Sequence, residues 1–217
     1  MTDMGTIRRF LAVATLAAAA ASCGDVARTG SAPVYLTIDS LQASRGSATG
    51  TTGTFSGTLA SDVQTLVTTG SNGSRTCSTS DPCSTVVNDI GQVIMRIVPK
   101  DIGSPLVQAT PTSNNEVTIT RYHITYVRAD GRNTPGVDVP YGFDGGSTGT
   151  VPATGTLTLS FELVRHAAKE EPPLVQLVQN GGIITTIAQI TFFGTDRVGN
   201  QISATGTIQV EFANFGG

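Results

Sequence analysis

The chain of 217 residues has no tryptophan and is poor in lysine and histidine. His123 and His166 are the only histidines, so few side chains can transfer protons near neutral pH. Lysine occurs only at Lys100 and Lys169, and the formal net charge is −3, with no cluster of basic residues. Because binding to nucleic-acid phosphates depends on clustered Lys and Arg, this composition excludes a nucleic-acid partner.

Long apolar runs are also scarce, since only residues 10–21 form one. The run follows Arg8 and Arg9 and leads through small residues to Cys23. It is about a dozen residues long, whereas a helix that crosses the hydrocarbon core needs roughly 20. A charged start, a short apolar run and small residues at its end are typical of an export signal. We therefore predict that residues 1–22 are a signal peptide.

The end of this signal, Ala20-Ala21-Ser22-Cys23, resembles the lipobox of bacterial lipoproteins. In that family the cysteine is acylated and becomes the mature N-terminus, so the resemblance implies that Cys23 is lipidated and that residues 23–33 are a tether. Ala20 departs from the family's usual leucine, and ordinary cleavage after Ala21 followed by secretion is the alternative. Gly24 replaces the aspartate that typically marks inner-membrane retention. An outer-membrane lipoprotein facing the periplasm or the cell surface is therefore expected.

Three cysteines in an exported chain leave one unpaired after a disulfide forms. If Cys23 is acylated, Cys77 and Cys83 remain as a pair that closes the short segment C-STSDP-C. A redox site would need C-x-x-C beside a helix, and a metal site would need more sulfur or histidine nearby. We predict a structural disulfide between Cys77 and Cys83.

Alternation of apolar and polar residues predicts β-strands along the rest of the chain. A bulge near Arg121 is predicted, because the apolar parity changes there. The segment FDGGSTG (143–149) is predicted to be a turn, and residues 166–178 a helical turn broken by Pro172-Pro173. The predicted strands are Val34–Leu41, Gln92–Pro99, Glu116–Arg128, Val137–Tyr141, Thr156–Val164, Thr186–Phe193 and Gln201–Phe212.

The closing segment FFGTDRVGNQISATGTIQVEF is similar to the last hairpin of bacterial immunoglobulin-like and fibronectin-III-like domains. Asp196, Gly199 and Asn200 occupy the positions of the D-x-x-G-N turn in those families. With the strand pattern, the resemblance implies an all-β, immunoglobulin-like antiparallel two-sheet sandwich with Greek-key connections, about seven to nine strands and one short helical turn. We expect one domain over residues 34–217, with a Ser/Thr/Gly-rich insertion at 43–90.

Motifs for catalysis and cofactors are weak. Gly145 to Gly149 match G-x-S-x-G, but a strand pattern follows instead of the helix that would make Ser147 a nucleophile. No phosphate-binding loop, dinucleotide-binding glycine pattern or H-E-x-x-H motif occurs, so no cofactor is predicted. A calcium site remains open, because one turn region is rich in oxygen ligands without the EF-hand spacing. Its candidate ligands are Asp130, Asn133, Asp138 and Asp144.

Three functions remain in competition, and one of them is an accessory subunit that coats or caps a larger envelope complex. The first is a membrane-anchored lipoprotein, held by N-terminal acyl chains, whose non-catalytic module serves adhesion, scaffolding or envelope assembly with a protein or glycan partner at the surface. The alternative is an extracytoplasmic hydrolase or carbohydrate-active enzyme on a β scaffold. It would need two converging acids, for example Asp138 or Asp144 with Glu162.

Overall fold

The computed structural model describes residues 31–48, 53–72, 74–104 and 106–216. The predicted signal peptide (1–22), Cys23 and most of the predicted tether lie outside these described residues. Cleavage and acylation therefore stay predictions.

Most of the described chain is β-strand, because side chains alternate between a buried and an exposed face. Two short α-helices, α1 (His166–Glu170) and α2 (Leu174–Asn180), and a 3-10 turn at Ser113–Asn115 complete the structure. In chain order the strands are β1 (Val34–Ser44), β2 (Thr58–Asp62), β3 (Thr65–Val67), β4 (Ser71–Asn72), β5 (Arg75–Thr76), β6 (Cys83–Thr85), β7 (Asp89–Pro99), β8 (Gly103–Ser104), β9 (Val107–Gln108), β10 (Val117–Val127), β11 (Phe143–Val151), β12 (Leu157–Val164), β13 (Ile184–Asp196) and β14 (Gln201–Ala213).

Eight of these strands form two sheets that pack on a shared core. The first sheet has the order β1-β7-β12, and the second has the order β11-β10-β13-β14-β2. The chain crosses between the sheets five times: after β1, between β2 and β7, after β7, after β11 and after β12. Such crossings are typical of Greek-key sandwiches. The predicted all-β, two-sheet sandwich is confirmed, and the remaining six strands are two or three residues long and pair outside it.

One strand pair differs from the predicted antiparallel arrangement. β2 pairs in parallel with β14, from Thr58 beside Gln209 to Asp62 beside Ala213. It comes from the Ser/Thr/Gly-rich segment, and its Leu59 is buried. Since an uncovered edge strand can template pairing with another chain, β2 protects the β14 edge of the larger sheet.

The predicted bulge in β10 is confirmed. The pairing of β10 with both neighbouring strands shifts between Ile119 and Arg121. Val117 and Ile119 are buried before the shift, and Tyr122 is buried after it. The extra residue therefore restores one apolar face along the whole strand.

The prediction of a turn at residues 143–149 was wrong, as was that of a strand at Val137–Tyr141. Residues 143–149 belong to strand β11, whereas the earlier segment makes only a single bridge from Val139 to Pro135. The glycines of β11 make room for core side chains. A Cβ on Gly145 would lie 2.1 Å from Cζ of Tyr122. The glycines therefore reflect packing against Tyr122, which an isolated sequence does not reveal.

The single predicted helical turn is two helices. Pro172 and Pro173 separate α1 from α2, because proline lacks the N–H that a helix interior requires. Gly181 follows α2 with φ 61°, the left-handed conformation that ends many helices.

An aromatic cluster fills the centre of the core. The ring centroid of Phe161, on β12, lies 5.2 Å from those of Tyr122 and Phe192. The last two belong to the larger sheet, so these contacts join the two sheets. Gly91 lies beside this cluster, since a Cβ there would be 2.3 Å from Phe161.

The register of the strands defines an N-terminal end of the sandwich. Val34 pairs with Pro99 at this end, and the Lys100 N–H donates to the Pro33 carbonyl at 2.9 Å. The turn at 197–200 lies at the same end. β11 and β13 both finish beside Val117, and a short connection leads from β11 to Leu157 of β12, which pairs near the Pro99 end of β7.

The opposite end, which we call the disulfide end, begins where Ser44 pairs with Ile90. The segment 62–88, with its short hairpins, and the helices α1 and α2 lie there. An 11-residue strand such as β1 spans about 35 Å at roughly 3.3 Å per residue, so the two ends are about that far apart.

Candidate functional site

The disulfide end carries a cross-linked loop. Cys77 and Cys83 are joined by a disulfide with an S–S distance of 2.02 Å. Cys83 lies on β6, which pairs with β3, so the loop is attached to a small two-stranded sheet. An exposed ion pair between Arg75 and Asp81 braces the same loop. The cysteines thus hold the position of a loop outside the two main sheets.

Beside the disulfide lies an open groove with a volume of about 460 Å³. Among the described residues that line it, none carries a charged side chain. Hydroxyl groups, one amide and a few small apolar groups form its walls. Its lining residues are Ser47, Ala48, Val67, Thr69, Gly70, Ser71, Asn72, Cys77, Cys83, Ser84, Thr85 and Val87. We call this feature the disulfide groove. Its neutral hydrogen-bonding groups suit an uncharged polar ligand.

The outer face of the larger sheet holds an exposed charged cluster. The Asp144 Oδ1 atom lies 3.3 Å from Nη1 of Arg121 and 3.2 Å from Nδ1 of His123. The Arg121 guanidinium also stacks 3.7 Å from the ring centre of Phe193. Arginine and aromatic side chains are common in protein interfaces, so the cluster offers a secondary contact surface.

The two histidines lie in different surroundings. His123 belongs to the outer-face cluster, whereas the His166 N–H donates to the Asn88 side chain at 2.7 Å at the start of α1. Ser147 is a residue of strand β11 and does not occupy a strand-to-helix turn. The structure thus does not bring His123, His166 and Ser147 together.

Each of the four candidate calcium ligands contacts a donor group of the protein. Asp130 pairs with the guanidinium groups of Arg128 and Arg132, and these hydrogen bonds hold the pKa of its carboxyl well below the ordinary range. Asp138 accepts the Thr134 N–H. The side-chain oxygen of Asn133 accepts the Arg128 N–H, and Asp144 belongs to the outer-face cluster. The described residues include no group of three or more His, Cys, Asp or Glu placed to hold a metal ion.

The acids of the alternative hydrolase hypothesis lie in separate elements. Asp144 is on β11 of the larger sheet, and Glu162 is on β12 of the smaller one. Asp138 lies in the loop between β10 and β11, where its carboxylate accepts the Thr134 backbone N–H.

Sequence reasoning missed a buried charged pair at the disulfide end. The Lys169 Nζ atom lies 2.9 Å from Oδ2 of Asp89, and both side chains are fully buried. Asp89 also accepts hydrogen bonds from Ser61 Oγ at 2.6 Å and from the Gly46 N–H at 2.8 Å. The angle between the two groups does not suit a hydrogen bond, so the contact is an ion pair. The Lys169 Nζ atom has no hydrogen-bond partner among the described residues.

This pair connects several elements at the disulfide end. It ties α1 to the first residue of β7, and through Ser61 to β2. Nearby, the Tyr126 hydroxyl donates to the Leu163 carbonyl at 2.6 Å. Burial, followed by the charge of Asp89, raises the pKa of Tyr126, so this tyrosine remains a neutral donor. The only sequence signal was that Lys169 is one of two lysines.

Comparison of the chain with protein-family models, with curated proteins and with solved structures gave no match. Within the four described ranges, no helix is both long and apolar enough to span a membrane.

Proposed function

We propose that this protein is an exported, membrane-anchored lipoprotein whose immunoglobulin-like sandwich is a non-catalytic module for adhesion, scaffolding or envelope assembly. The proposal is supported by the position of the disulfide groove, which lies at the end of the sandwich opposite to the one where the described chain enters. The described chain enters the sandwich at Pro33, whereas the disulfide groove lies at the other end. A protein anchored through Cys23 would present this groove away from the membrane.

The distances favour display at the disulfide end. The sandwich is about 35 Å long between its ends. Pro33 lies ten positions after Cys23, and this stretch of chain can extend the distance by at most about 35 Å. The groove would therefore lie tens of ångströms above the lipid, within reach of a neighbouring envelope component.

The lining of the groove indicates the chemistry of the partner. Its hydroxyl and amide groups can exchange hydrogen bonds with a glycan or with a peptide backbone. The disulfide fixes the loop before binding, which reduces the entropy lost on association. We propose a neutral polar protein or glycan surface as the partner.

The anchor is tested by replacing Cys23 or, as a control, both disulfide cysteines, and then fractionating the cells. Cys23→Ala should move the protein from the membrane fraction to the soluble fraction. The matched Cys77→Ser/Cys83→Ser variant should stay with the membrane, because it retains the acylation site. Mass spectrometry of the native N-terminus should show acyl chains on Cys23. An unmodified N-terminus after Ala21 cleavage would overturn the anchor.

The display surface is tested by photo-crosslinking in intact cells. A photoreactive residue in place of Ser84, in the groove, should capture a partner of defined mass. The same residue in place of Ser160, an exposed serine on β12, is the control and should not. Equal capture from both sites would contradict a groove-specific contact. Substrate turnover abolished by His123→Ala, His166→Ala or Ser147→Ala would overturn the non-catalytic assignment.

A further inference from the structure

The N-terminal end carries four exposed aliphatic side chains on two loops. Ile102, Leu106 and Val107 belong to the hairpin formed by β8 and β9, and Val198 lies in the turn between β13 and β14. Leu106 is 95 % exposed and Ile102 is 78 % exposed. We call these four residues the apolar tips. Exposed apolar side chains occur at the disulfide end too, where Val137 is 68 % exposed, so these four are distinguished by their place at the end where the chain enters the sandwich.

The hairpin is held beside the entry of the chain into the sandwich. The backbone N–H of Lys100, at its base, donates to the carbonyl of Pro33 at 2.9 Å. Within the hairpin, the Gly103 N–H donates to Asp101 Oδ1 at 2.8 Å, and the Val107 N–H donates to Ser104 Oγ at 3.2 Å. These bonds connect the exposed aliphatic groups to the point where the proposed tether begins.

Charges around the apolar tips are balanced. Arg197, next to Val198, pairs with Glu116, and Lys100 is followed directly by Asp101. The Lys100 ammonium lies 5.2 Å from the ring centre of Tyr35, which is itself half-exposed. An amphipathic tyrosine beside aliphatic groups is typical of the membrane–water interface.

We propose that the apolar tips insert into the interfacial layer of the bilayer that holds the acylated Cys23. The inference rests on the proposed anchor, because four aliphatic groups alone bury too little area for stable membrane binding. The ten residues that follow Cys23 keep the N-terminal end within about 35 Å of the lipid, which makes insertion an intramolecular step at an effective concentration of about millimolar. Insertion fixes the direction of the long axis of the sandwich relative to the membrane, with the disulfide groove facing away from the bilayer.

The test uses the full chain, processed and lipidated in its own cell and reconstituted into phosphatidylcholine vesicles that contain nitroxide-labelled lipid. Leu106→Cys and Val198→Cys each receive an environment-sensitive fluorophore. Val137→Cys is the matched control, because Val137 is 68 % exposed on the loop between β10 and β11, at the disulfide end. Mass spectrometry of each sample reports acylation of Cys23 and retention of the Cys77–Cys83 disulfide.

Both probes at the N-terminal end should be quenched at least about threefold more strongly than the Val137 probe, since interfacial insertion takes side chains about 5–10 Å into the lipid. Acylated protein with equal, weak quenching at all three sites would overturn insertion and leave the anchor intact. A blue shift without lipid quenching would also overturn it, because a second copy or a protein partner would then cover the tips. Absence of acyl chains on Cys23 would overturn both proposals together.

Discussion

Two charged clusters of the sandwich make similar contacts in opposite surroundings. Lys169 and Asp89 meet at 2.9 Å with both side chains fully buried. Arg121 and Asp144 meet at 3.3 Å on the outer face of the larger sheet, with more than half of each side chain exposed. Water solvates the outer pair in both the folded and the unfolded states, whereas the inner pair gives up its hydration on folding.

The difference separates structural from adaptable parts of the molecule. Each buried charge depends on its partner, so replacing either residue should destabilise the elements that the pair joins. Outer-face side chains can change with little cost to folding and are free to serve binding.

Loss of the buried cation should be the most damaging change. Lys169→Met leaves the Asp89 carboxylate buried without its counter-ion and should lower the free energy of unfolding by about 3–5 kcal/mol. Arg121→Met removes the exposed pair and should cost about 1 kcal/mol or less. Chemical denaturation of the two variants measures both values.

A double variant sharpens this comparison. Lys169→Met combined with Asp89→Asn removes the uncompensated charge, so part of the lost stability should return. Equal losses from Lys169→Met and Arg121→Met would show that burial of the inner pair does not matter, and would contradict the contrast.

Substitutions at two adjacent glycines of β11 compare a buried position with an exposed one in the same strand. Gly145 faces the core, where a Cβ would lie 2.1 Å from Tyr122, and Gly146 has no atom within 4 Å of a Cβ position. Gly145→Val should therefore cost about 3 kcal/mol through overpacking. Gly146→Val should be neutral or slightly stabilising, because β-branched residues favour strands. Thermal denaturation measures both, and similar losses at the two positions would contradict the assigned faces.

Removal of the disulfide should have an intermediate effect. Cys77→Ser/Cys83→Ser releases a loop of only a few residues, for which loop-closure entropy predicts a loss of about 2 kcal/mol. The two main sheets should persist, because the loop lies outside them. Circular dichroism and the melting temperature report both effects. A loss as large as that of Lys169→Met would show that the loop supports the core.

The smallest effect is expected at Asp130. Hydrogen bonds from Arg128 and then Arg132 lower the pKa of this exposed carboxyl. Any stabilisation it contributes is present above the unfolded-chain pKa of about 3.9 and is lost as the pH falls through the lower folded pKa. Since Asp130 is solvated, Asp130→Asn should leave unfolding nearly unchanged at neutral pH.

A carbon-detected NMR titration tests the direction of this shift. The midpoint for Asp130 should lie below that of a free aspartate, and Arg132→Gln should move it upward by removing one hydrogen-bond donor. A midpoint at the ordinary value in the native chain would contradict the ion-pair assignment.

Long alternating segments could be predicted because their pattern is local. The strands ending at Val164 and beginning at Gln201, and the bulge before Arg121, follow from which residues must share a buried face. β11 could not be predicted, because its glycines resemble a turn until Tyr122 packs against Gly145. The disulfide loop was predictable from cysteine spacing, whereas the groove beside it depends on segments that meet only in the folded chain.

The all-β class, the two-sheet arrangement and the positions of most long strands could be predicted from the chain alone, because apolar side chains recur every second residue along each of those strands. The pairing of Lys169 with Asp89, the parallel course of β2 beside β14, and the position of the aliphatic loops where the chain enters the sandwich are established only in the folded protein. These relations join residues far apart in the chain, and long-range pairing and burial, rather than local pattern, select them.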